Sequence, residues 1–121
     1  MSQTFKELVA WQKAMELVTE VYRATNSFPS DERFGLTSQI RRSAVSVPSN
    51  IAEGQGRNSP GEFLQFLGIA KGSLCELETQ ILIAKNLGFI GDASVDLLGR
   101  TEEVGKIMTG LGKSLRRQKT T

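Results

Sequence analysis

Histidine does not occur in the 121 residues, and cysteine occurs once, as Cys75. The lack of histidine removes the commonest metal ligand and the usual general base together. One thiolate does not make a zinc site, and a di-metal site in a helical bundle would want a Glu-x-x-His pattern that is missing. With no histidine to activate it, Cys75 reads as a buried or interfacial thiol rather than a nucleophile. A single cysteine forms no intrachain disulfide, which suits a reducing, cytoplasmic setting. Long apolar runs are missing too: none approaches the roughly 18 residues of a membrane span. The opening Met1-Ser2-Gln3-Thr4-Phe5-Lys6-Glu7 lacks a basic start followed by an apolar stretch. Neither a secretory signal nor a membrane partner is therefore expected. There is no useful period-two alternation and no internal repeat. These gaps argue against metal, cofactor and nucleophilic chemistry, so no enzyme is expected.

What is present is ordinary globular material, 39% hydrophobic and 23% charged. Its length supports one core and one domain, expected over residues 1–115. The formal charge of +2 is unevenly placed. Residues 113–121 hold Lys113, Arg116, Arg117 and Lys119 and no acid, whereas the other 112 residues hold 11 bases and 13 acids. The basic character thus sits in the tail, and residues 116–121 are expected to be disordered. So small an overall charge does not by itself imply a nucleic-acid partner.

Hydrophobic spacing predicts four helices. The first runs from Thr4 to Asn26, with Thr4 and Glu7 spaced as a capping box. Its stripe is Leu8, Trp11, Met15, Val18, Tyr22 and Thr25, widened by Val9, Ala14, Leu17 and Val21. This puts Trp11 and Tyr22 in the packing rather than on a base-stacking surface. Phe28-Pro29 ends the segment, because the residue before proline avoids the α region. The second helix runs from Ser30 to Glu53 with Leu36, Ile40, Ala44, Val47 and Ile51 inward. Pro48 should kink it by removing the bond to the Ala44 carbonyl. The third opens with Ser59 as cap, Pro60 as first helical residue and Glu62 as third, and Gly88 closes it. Its stripe of Phe63, Leu67, Ala70, Leu74, Leu77, Ile81 and Ala84 is flanked by Phe66, Ile69 and Ile83. A face that wide suggests more than one neighbour. The fourth runs from Ser94 to Leu115, with Leu97, Thr101, Val104, Met108, Leu111 and Leu115 inward and several weakening glycines. Short links between long helices give an all-α, up-down-up-down antiparallel four-helix bundle.

The most distinctive text is Gln39-Ile40-Arg41-Arg42-Ser43-Ala44-Val45-Ser46-Val47-Pro48-Ser49-Asn50-Ile51-Ala52-Glu53-Gly54. It resembles the four-helix bundle family encoded in intervening sequences of bacterial 23S ribosomal RNA genes, often labelled ribosomal protein S23. Leu8-Val9-Ala10-Trp11-Gln12-Lys13-Ala14, Phe28-Pro29, Phe34-Gly35-Leu36 and the run from Phe63 to Glu78 follow in the family's order. The glycine-rich fourth helix matches least well. The resemblance implies a homopentameric ring and kinship with the nucleic-acid-binding accessory protein of diversity-generating retroelements. It implies no catalysis and no cofactor.

Several residues have both a functional and a structural reading. Arg41 and Arg42 are adjacent and so diverge by about 100° on a helix. They would contact phosphate, or form ion pairs with Glu53 or an acid on a neighbouring helix. Asn50, Glu53 and Gly54 form a structural or interface motif: Asn50 serves backbone freed by Pro48, and Glu53 and Gly54 close the helix. Gly54-Gln55-Gly56-Arg57 lacks the lysine and the preceding strand of a phosphate loop. Arg57 nevertheless sits where a helix N-terminus attracts anions. Candidate nucleic-acid contacts are Arg41, Arg42, Arg57, Lys113, Arg116, Arg117 and Lys119. Two functions follow as expectations: an oligomeric, RNA-associated accessory protein binding RNA or DNA, or a scaffold that meets only protein partners.

Overall fold

In the computed structural model, which describes residues 4–119, four α-helices follow one another: α1 (Val9–Thr25), α2 (Leu36–Gln55), α3 (Pro60–Asn86) and α4 (Ala93–Lys119). Single 3-10 turns at Phe5–Glu7 and Ser30–Glu32 precede α1 and α2. No strand occurs among the described residues. Each helix packs on its neighbours in the chain and α1 also packs on α4, while the diagonal pairs lie farther apart. That closed square is the arrangement expected of an up-down-up-down bundle. No helix among the described residues is long and apolar enough to cross a membrane.

The helix ends show which local signals operate. Ser59 accepts from the Glu62 amide at 3.2 Å with Pro60 first in α3, as its sequence predicts. The α3 C-terminus closes as a Schellman motif. Gly88 takes φ +75, its amide bonds to the Lys85 carbonyl, and the Phe89 amide reaches back to Ala84 at 2.9 Å. The box expected at Thr4 does not form: its side chain makes no cap bond, and the chain makes a 3-10 turn instead. The second helix begins at Leu36 rather than Ser30, because a second 3-10 turn intervenes. The Glu32 carboxylate takes the capping role, accepting from the Leu36 amide at 3.0 Å.

Three of the four predicted stripes face the core. Ile40, Ala44, Val47 and Ile51 of α2 and Leu67, Ala70, Leu77 and Ile81 of α3 are all buried. In α4, Gly112 takes the inward place expected of Leu111, and a Cβ on it would lie 3.5 Å from Leu67. In α1 the core face is centred on the flank that the spacing used to widen the stripe, with Thr25 also buried. Ala10, Ala14, Leu17 and Val21 are buried, whereas Met15 and Tyr22 stand about two-fifths exposed. The reason is the small volume of Ala10 and Ala14, which lets α1 lie close to its neighbours and leaves the larger side chains outside.

Around Pro48, α2 stays helical. The Asn50 amide does not serve the Ala44 carbonyl. It donates to the Ser46 carbonyl at 2.8 Å and to the Ser46 hydroxyl at 3.0 Å. Ser46 Oγ in turn lies 2.8 Å from the buried Ser73 Oγ, so Asn50 anchors a polar seam between α2 and α3. Gly54 is more than a helix stop. A Cβ there would come within 2.8 Å of both Phe63 Cδ1 and Phe66 Cβ, so α2 meets α3 through that gap. Gly54→Ala is therefore expected to destabilise by about 1–3 kcal/mol despite alanine's higher helix propensity, measured by urea unfolding. An increase in stability would mean that the α2–α3 approach is looser than described.

The expected disordered tail is helical up to Lys119, one turn beyond Leu115. Leu115 is buried, and Lys119 lies over Gly61 at the start of α3, where a Cβ would sit 3.7 Å from Lys119 Cε. The burial of Leu115 holds the end of α4 against the bundle. Thr120 and Thr121 lie outside the described residues.

Candidate nucleic-acid interface

Antiparallel packing brings the C-termini of α2 and α4 to the same end as the N-termini of α1 and α3. This end gathers Lys6, Arg57, Lys113, Arg116, Arg117 and Lys119 against three acids, Glu7, Glu53 and Glu62. All six bases are exposed. Arg57 reaches Glu53 at 3.5 Å and lies over the Phe66 ring at 4.7 Å. Arg116 folds back along α4, its guanidinium 3.6 Å from where a Gly112 Cβ would be. The amides of the first turn of α3 add their partial positive charge. The result is a basic pole made from two separate stretches of sequence and the turn at Lys6.

The two arginines of the α2 motif part company. Arg41 is spent inside the fold: Nε donates to Thr25 Oγ1 at 2.9 Å, Nη2 donates to Asn26 Oδ1 at 3.2 Å, and the guanidinium lies 4.5 Å over Tyr22. Its partners are the C-terminal turn of α1, whose unpaired carbonyls favour a cation, rather than any carboxylate. Arg42 is exposed and makes no hydrogen bond or ion pair among the described residues. With Arg33 and Phe34 it borders a groove of about 600 Å³ between α1 and α2, lined by no acid. Sequence reasoning missed this groove because it placed Tyr22 in the core and did not single out Arg33.

Asn50, Glu53 and Gly54 do not form a reactive cluster. Asn50 faces Ser46, Glu53 faces Arg57, and Gly54 lies beneath two phenylalanines. Trp11 is half-buried with the Phe5 ring edge-on at 5.3 Å, a packing role. Cys75 is exposed in the single chain, so of the two readings, buried or interfacial, the buried one is ruled out. No three acids or thiols among the described residues come together as metal ligands would. The opposite flank, between α1 and α4, is laced by ion pairs such as Lys13–Glu103 at 3.9 Å and Arg100–Glu16 at 3.7 Å. Such exposed pairs contribute little to stability, but they leave few free cations there.

Comparison with known proteins adds two findings. The profile of the 23S rRNA-intervening sequence protein family matches residues 6–110. A crystal structure of a protein of unknown function from the S23 ribosomal protein family, from Bacteroides thetaiotaomicron, superposes with a TM-score of 0.80 at 21% identity. The match covers 87% of this chain and 99% of that one, and at such identity it speaks for the fold. No curated protein matches.

Proposed function

Because the chain belongs to the family of 23S rRNA-intervening sequence proteins, we propose that it is a non-catalytic, oligomeric accessory protein that binds single-stranded RNA through its basic pole. The observation that carries this reading is the pole itself, six exposed bases against three acids at one end of the bundle. Phosphates are held by such clusters without sequence preference, each neutralised phosphate releasing counterions. A single pole is too small for tight binding. Several poles presented by one assembly act together, since the first contact raises the local concentration of strand at the rest. The resemblance implies a ring of five.

The nearly balanced charge of the remaining chain favours a second reading, a scaffold that meets only proteins. Recovery from native cells separates the two. The first reading expects RNA to co-purify at low salt, to be lost on nuclease treatment, and to be shed as salt rises. Recovery of protein partners that resist nuclease, with no nucleic acid, favours the scaffold.

A further inference from the structure

Two faces of the bundle expose clusters of apolar side chains. On the first, an apolar cleft of about 340 Å³ between α1 and α2, lined by Trp11, Met15, Val18 and Pro48, continues through Val45 into the arginine-bordered groove. Neither section is lined by an acid. Phe34 stands 89% exposed at one end, with the Arg33 guanidinium 5.4 Å above its ring. Trp, Tyr, Phe, Met and Arg without Lys or acids is the composition of a protein–protein contact centre. A strand-binding groove would be expected to carry more free cations than the single unpaired Arg42 and the Arg33 stacked on Phe34.

The second face is the outward side of α3. Ile69, Glu76 and Ile83 lie seven residues apart on one line and are exposed, with Ile69 at 53% and Ile83 at 42%. Gly68, Gly72, Cys75 and Thr79 fill the space beside them, so the ridge is low and smooth. A Cβ at Gly68 or Gly72 would meet nothing within 4 Å. Between Ile69 and Ile83 Glu76 is the one charge on this line, and it has no partner among the described residues, whereas Glu62, one heptad before Ile69, accepts from the Ser59 hydroxyl at 3.4 Å. Lys71, two residues from Ile69, donates to the Thr109 hydroxyl of α4, and Lys85, two residues from Ile83, is exposed.

We propose that a second copy of this chain lays the outward face of α3 into the α1–α2 groove, with Glu76 meeting Arg42 and Ile69 and Ile83 in the apolar sections. This rests on the oligomeric reading above. Lengths and charges agree. The stretch Ile69–Ile83 spans about 21 Å, and the groove from Trp11 to Tyr22 spans about 16 Å before it extends past Arg42 to Phe34. The unpaired Glu76 on one face answers the unpaired Arg42 on the other. The two faces are different, so the contact is head-to-tail, and a head-to-tail contact closes into a ring when its rotation allows.

The test is light scattering after size exclusion at matched concentration. Val45→Arg blocks the groove and Ile83→Arg blocks the ridge. Both positions are about two-fifths exposed, so circular dichroism should show intact helices. Each variant alone is expected to be a monomer of 13.3 kDa. Mixed in equal amounts, they should form a dimer of about twice that mass and nothing larger, because one free groove and one free ridge remain. Arg42→Glu should weaken assembly at least tenfold, and adding Glu76→Arg should restore it. If both blocked variants stay as large as the unaltered protein, the proposed faces are wrong while the oligomeric reading stands. The same conclusion follows if Val45→Arg abolishes RNA binding but not assembly, since the groove would then hold nucleic acid. An unaltered chain that is monomeric at micromolar concentration removes the oligomeric reading itself.

Discussion

Leu77→Ala is expected to lower stability by about 2–5 kcal/mol. Leu77 is fully buried at mid-length in α3, the helix that packs on both α2 and α4. Removing its branched end takes apolar area out of the core and leaves a cavity. The ridge through Ala70, Leu77 and Ala84 has no exposed side from which neighbours might collapse inward. In a protein stabilised by about 5–15 kcal/mol this is a large fraction. The thermal midpoint should fall by on the order of 10 °C at this chain length. Leu82→Ala, where the side chain is 42% exposed in the single chain, is the control and should cost under about 1 kcal/mol on that account. Protein concentration must be fixed, because any self-association would add to apparent stability. A cost below about 1 kcal/mol for Leu77→Ala would mean that this stripe is misassigned.

Much of the bundle was legible in the sequence, for identifiable reasons. The α3 stripe is long and Leu-rich and is bracketed by Ser59-Pro60 and Gly88, so period and caps agree. The α1 stripe was misread because two sets of residues, offset by one position, both satisfy steps of three and four. Reading by size put Trp11, Met15 and Tyr22 at the centre and Ala14, Leu17 and Val21 at the flank, whereas packing reverses that order and adds Ala10. Size alone cannot distinguish a core face from an interface face. The α4 tail was misread because a run of basic residues looks solvated, whereas the buried Leu115 anchors the end of the helix.

The candidate site was less legible. Arg57, Lys113, Arg116, Arg117 and Lys119 were visible as cations, but not that the fold gathers them at one end with Lys6. Arg41 and Arg42 are indistinguishable in sequence. Only the placement of α1 shows that Arg41 is occupied by Thr25 and Asn26, while Arg42 has no partner among the described residues. The groove between α1 and α2 depends on side chains from three stretches of chain, so no local motif announces it.

Binding of RNA is expected to fall steeply with salt. On single strands each neutralised phosphate contributes about −0.7 to the slope of log affinity against log salt. About eight contacts from the pooled poles give a slope near −6, so a fourfold rise in salt should weaken binding by roughly three decades. Lys113, Arg116 and Lys119 are exposed, and replacing them by glutamine leaves Leu115 and the helix in place. With fewer phosphates neutralised, the slope should become markedly shallower and the affinity at low salt should drop at least tenfold. Removing the end of the chain would be a poorer comparison, because a cut at Gly112 also deletes the buried Leu115. The most direct measurement is fluorescence anisotropy of an unstructured RNA with the intact assembly and with this triple variant, at two salt concentrations. The account predicts tight, sequence-independent, salt-sensitive binding that the variant loses in large part. It is contradicted if the intact assembly fails to bind at low salt, or if the variant binds with unchanged affinity and slope.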